Sequence, residues 1–128
     1  MMAEVYIDAA TAGNPGPSGA GIYIKAGKEH YRYAVPLPVM SNHEAEFHAC
    51  LEAIKRCTEL DVSILSIRSD SKILVDSLEK NYAKNPSFNS LLKAIDASSK
   101  QFDHVFVKWI PSSKNGEADA LARKALRA

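Results

Sequence analysis

No apolar run in the chain approaches the length needed to cross a bilayer, which excludes a helical membrane anchor. The opening "MMAEVYID" lacks the basic start and apolar core of a secretory signal, so export is not expected and a cytoplasmic setting is. Cysteine is scarce. Cys50 and Cys57 sit seven residues apart in a helix-like stretch, about 10 Å between Cα atoms, too far for a disulfide. No CxxC pair accompanies them, so they read as reduced thiols and not as metal ligands. An excess of one charge is missing too: sixteen Lys and Arg face fifteen Asp and Glu, for a net charge of +1. Without a global basic field, any binding of nucleic acid must be local. Positive charge does gather at Lys80, Lys84, Lys93 and Lys100, opposed within residues 80–100 only by Asp96. Repeats, linkers and low-complexity tracts are absent, and 128 residues suit one domain, residues 1–128, with a real core.

What is present is an ordered alternation of periods. Val5 to Asp8, Gly21 to Lys25 ("GIYIK") and His30 to Leu37 ("HYRYAVPL") carry the β-branched and aromatic residues of three strands, the last two joined as a hairpin through Lys25 to Glu29. After Pro36 and Pro38 the period changes. Ser41-Asn42 offers an N-cap, and Phe47, Cys50, Leu51 and Ile54 make the stripe of an amphipathic helix. Ser63 to Asp70 predicts a fourth strand, Ser71 to Leu78 a short helix, and Ser90 to Phe102 a third helix after the Asn85-Pro86 break. His104 to Pro111 alternates as a fifth strand, and Gly116 to Ala128 is rich in helix formers. The order β-β-β-α-β-α-α-β-α implies an α/β fold: a mixed five-stranded sheet flanked by helices.

Four acids fall at element ends. Asp8 closes the first predicted strand and Asp70 the fourth; Glu46 and Asp119 lie in the first turns of the first and last long helices. Parallel strands present their carboxyl ends to one crevice, so Asp8 and Asp70 meet if strands one and four are parallel neighbours. Each acid has an ordinary alternative, since helix N-termini favour carboxylates and Asp is common in turns.

The words around these acids settle the comparison. "DAATAGNPGPSGAG" (Asp8 to Gly21), "SNHEAEFHACLEAI" (Ser41 to Ile54), "SDSKILVDSL" (Ser69 to Leu78) and "KNGEADALARKAL" (Lys114 to Leu126) stand in the order seen in type 1 ribonucleases H, and the chain resembles that family from about Val5 to Ala125. The resemblance implies a ribonuclease H-like fold and an endonuclease that hydrolyses the RNA strand of RNA–DNA hybrids, leaving 5′-phosphomonoesters. It also implies that Asp8, Glu46, Asp70 and Asp119 hold two divalent ions, Mg²⁺ or Mn²⁺, with Asp8 bridging both. The physical logic agrees: carboxylates repel a phosphodiester unless metal lies between them, and two ions about 4 Å apart can clamp an in-line displacement. By the same likeness Asn14, Ser41, Asn42, Ser71, Lys114 and Asn115 contact the hybrid, with Asn14 at its minor groove, where a 2′-hydroxyl marks RNA. Small residues after Asp8 are expected to let the substrate backbone approach, with Gly13, Gly16 and Gly19 in turn conformations. A monomer without membrane or small-molecule cofactor is expected.

The chain departs from the family at three places. Ala9 follows the first aspartate where the family has glycine, and its methyl faces the metal site or lies clear of it. The loop "PSSKNGEAD" (Pro111 to Asp119) has no histidine, leaving Lys114 as its cation; His43, near Glu46, is the histidine best placed for a site role. The connection Glu79 to Phe88 leaves no room for a basic helical protrusion. These features predict slow turnover and salt-sensitive binding. They also keep open a second reading, a catalytically weak or inactive relative that binds nucleic acid. A proofreading-type exonuclease would need an acid two residues after Asp8, where Ala10 stands.

Overall fold

The computed structural model describes residues 1–127, and its strands form one mixed sheet in the order β3-β2-β1-β4-β5. The elements are β1 (Met2–Thr11), β2 (Gly16–Ala26), β3 (Glu29–Met40), α1 (Asn42–Cys57), β4 (Ile64–Ser69), α2 (Lys72–Lys80), α3 (Asn89–Ser99), β5 (His104–Trp109) and α4 (Gly116–Leu126). Single 3₁₀ turns at Pro86–Phe88 and Ser112–Lys114 precede α3 and α4. β1, β2 and β3 form an antiparallel meander, whereas β4 and β5 run parallel to β1, as helical crossovers require.

Alternation divides β1 between two layers. Ala3, Val5 and Ile7 join Ile22 and Ile24 of β2 and Leu65 and Ile67 of β4 in the main core, closed by Phe47, Cys50 and Ile54 of α1. Both cysteines are buried there and free. The opposite side of β1, β2 and β3 carries α4. None of the described helices is long and apolar enough to span a membrane.

Two expectations about the first hairpin are corrected. Asp8 does not end its strand: β1 continues to Thr11, and Asp8, Ala9 and Ala10 pair with Gly21, Ala20 and Gly19 of β2. The small residues are therefore mostly strand, and of the glycines expected in turns only Gly13 has a positive φ, +105°. Gly19 and Gly21 serve packing. A Cβ on Gly19 would lie 2.7 Å from the Ala122 carbonyl oxygen, and one on Gly21 would collide with that of Ala118. Missing side chains let α4 rest directly on the β2 backbone.

Candidate metal centre

Three acids converge where β1, β4 and α1 meet. The parallel register sets Ile7 beside Ser69, so the next residues, Asp8 and Asp70, emerge together. Glu46 comes from the other direction. Ser41 caps α1, its Oγ accepting from the Glu44 N–H at 3.1 Å, and the turn this fixes points Glu46 inward until only 6% of it is exposed. Carboxylate oxygens of Asp8, Glu46 and Asp70 all lie within 4.8 Å of one another.

Such crowding without a cation is unfavourable, and the ionisation equilibria record it. Burial first, then the Asp70 and Asp119 carboxylates, push Asp8 up to about 7. Burial first, then Asp8 and Asp70, push Glu46 up to about 9. A backbone hydrogen bond from Ala9 works against both shifts. That help comes from a peptide N–H, which alanine supplies as well as the family's glycine. One Glu46 oxygen, Oε1, is buried with no hydrogen-bond partner among the described residues. A buried acceptor left over among three carboxylates is the donor set a hard divalent cation fits.

The fourth acid adjoins one side of the trio. Asp119 lies outside the mutually close set but shares a side-chain hydrogen bond with Asp8, and it also pairs with Arg123 at 3.2 Å. Of the expected substrate contacts, Asn14 Oδ1 accepts from the Asn42 N–H at 3.0 Å, tying the first hairpin loop to the start of α1. Ser71 caps α2, its Oγ accepting from the Leu74 N–H at 3.2 Å. Lys114 is exposed on its 3₁₀ turn.

Asn115 is different from the expected nucleic-acid contact: it is 1% exposed. Its Nδ2 donates to the Ile7 carbonyl oxygen at 2.8 Å and reaches Asp70 Oδ2 at 3.4 Å, fastening the start of α4 to the strands that carry two of the acids. It is a positioning residue. Sequence reasoning also passed over Trp109, whose Nε1 donates to the Asp70 carbonyl oxygen at 3.2 Å while Lys72 lies over its ring. The signal was the indole at the end of β5, beside the end of β4.

A cleft of about 420 Å³ opens over Glu46 and Asp70, lined also by Asn42, His43, Ser71 and Lys72. Next to it, sharing His43, runs a larger groove of about 640 Å³ whose lining includes Ser41, Lys80, Tyr82 and Lys84.

A family model described as reverse transcriptase-like matches residues 6–125. The chain is 43% identical to EbsB of Enterococcus faecalis V583, a protein named as belonging to the hydrolases, over 98% of this chain and 95% of that one. RNase H1 from the halophilic archaeon Halobacterium salinarum NRC-1 superposes with a TM-score of 0.93, covering 99% of this chain and 98% of that one at 24% identity. The chain belongs to the ribonuclease H family. A second ribonuclease H of the same fold, LC11-RNase H1, was solved in complex with an RNA/DNA hybrid; it matches with a TM-score of 0.89 at 23% identity, over 98% of this chain and 96% of that one. Some family relatives are longer: this chain spans 36% of a bifunctional protein of Mycobacterium tuberculosis H37Rv.

Proposed function

We propose that this ribonuclease H family member hydrolyses the RNA strand of RNA–DNA hybrids with divalent metal, as a single-domain monomer. The observation that carries the reading is the trio Asp8, Glu46 and Asp70 with its orphaned Glu46 oxygen. Its placement on a fold shared with a hybrid-bound ribonuclease H supports the substrate class.

Asp8, Glu46 and Asp70 are the ligands of the centre, and Asp119, close enough to act on Asp8, completes a second position once it leaves Arg123. Two Mg²⁺ or Mn²⁺ ions held there supply Lewis acidity for water activation and for the leaving 3′-oxygen. The chain's own residues bind and orient the duplex. Asn14 and Asn42, joined by their hydrogen bond, face the hybrid from the rim above the acids. Ser41 and the groove bounded by Lys80 and Lys84 take the uncleaved DNA strand, whose phosphates meet positive charge there. Lys72, at the first position of α2, meets the RNA strand beside Asp70.

The test is cleavage of a labelled hybrid by purified protein with Mg²⁺ and, separately, Mn²⁺. Products with 5′-phosphates are expected from the hybrid and none from double-stranded DNA. Cleavage no faster than that of an Asp70→Asn variant would instead mark a relative that binds without cutting.

A further inference from the structure

The side of the sheet that bears α4 is only partly covered. α4 packs on β1, β2 and β3, yet Phe106 and Lys108 of β5, pointing to that same side, are exposed, Phe106 by 56%. Strand register lines up one residue from each strand: Arg32, Tyr23, Tyr6, Arg68 and Lys108 are successive cross-strand neighbours. With strands about 4.8 Å apart, the row crosses roughly 19 Å of sheet.

Cations and rings interleave along it. Arg32 lies 4.7 Å from the Tyr23 ring centroid, Arg68 5.4 Å from that of Tyr6, and Lys25 within 5.8 Å of both rings. The carboxylates on this side are already engaged, Glu4 by Arg68 and Glu117 by Arg32. Lys25 and Lys108 have no carboxylate partner among the described residues. At the outer edge His104 and Phe106 stack on each other, centroids 5.8 Å apart at 21°, with both residues open to solvent.

We propose that this uncovered part of the sheet binds single-stranded nucleic acid, its phosphates along the cationic row and a base on Phe106 and His104. An acidic protein segment would satisfy Lys25 and Lys108 but would leave the exposed ring pair without a partner. Unpaired bases have π-faces that use both, and a sheet offering aromatic faces between cations suits them regardless of sequence. The surface lies on a different side of the molecule from the groove beside the acids and needs no metal.

The experiment measures fluorescence anisotropy of short labelled single-stranded RNA and DNA with full-length protein in EDTA. Wild-type protein and Asp8→Asn should bind equally well, with affinity falling as salt rises. The double variant Phe106→Ala/Lys108→Ala should bind at least about tenfold more weakly, yet cleave a blunt-ended hybrid at the wild-type rate. Should the double variant melt below wild type, Lys108→Glu alone provides the comparison. Undiminished affinity in either variant, or equally tight binding of polyglutamate, would overturn the proposal. Loss of hybrid cleavage in Asp70→Asn with single-strand binding intact would leave it standing, so the two readings fail separately.

Discussion

Asp8 shows how one side chain links stability to activity. Its ordinary pKa of 3.8 rises to about 7 in the folded protein, and that of Glu46 rises from 4.5 to about 9. A carboxyl that stays protonated in the fold while the unfolded chain ionises makes folding less favourable as pH increases. The contribution is whole below about pH 4 and fades through pH 7 for Asp8 and pH 9 for Glu46. Metal-free protein should therefore lose stability across that range in urea titrations. Asp8→Asn should flatten the lower part of the profile, gain on the order of 2 kcal/mol at pH 8, and abolish cleavage. An Asp8→Asn protein that unfolds at lower urea than wild type at pH 8 would make the carboxylate structural. These acids were legible in the sequence because motif words flank them. Asn115 was readable only as a word in a motif, since nothing in its neighbours reveals a hydrogen bond to Ile7, 108 residues away.

At the level of elements, α4 depends on two absent side chains. Gly21→Ala drives a methyl into the Ala118 carbonyl and should cost about 1–3 kcal/mol, lowering activity as α4 shifts its Asn115 anchor. Gly116→Ala is the matched control: nothing lies within 4 Å of its added carbon, and alanine favours the helix by roughly 0.4–1 kcal/mol. Thermal melts of both variants check the contrast, and similar melting points would remove the packing role given to Gly21. Helices were legible where local signals mark them: the Ser41 cap and the Phe47 to Ile54 stripe for α1, and helix-forming composition for α4. The extent of β1 and β2 was not. Ala9 to Thr11 and Gly16 to Gly19 have no side-chain alternation, and backbone pairing with a helix resting on it makes them strand.

Over the whole molecule, a net charge of +1 conceals strong separation. Acids are gathered in one cleft, while Lys80 and Lys84 border the adjoining groove. Hybrid affinity rests on a few lysine–phosphate contacts and should be weak and fall as salt rises, so KM should climb with added KCl while kcat stays nearly constant. A KM indifferent to salt would remove the lysines from binding. The order of strands and helices could be read from the sequence because periodicity is local. The division of the sheet into covered and bare portions could not, since it depends on where α4 comes to rest.

That resting place has a bearing on synthesis. The glycine-lined trough on β2 and the first acid precede, by about a hundred residues, the helix bearing Asn115 and Asp119, so they leave the ribosome well before it. A growing chain can assemble its meander and α1 long before the ridge that fills the trough exists. Catalytic competence should accordingly wait until α4 itself has left the exit tunnel.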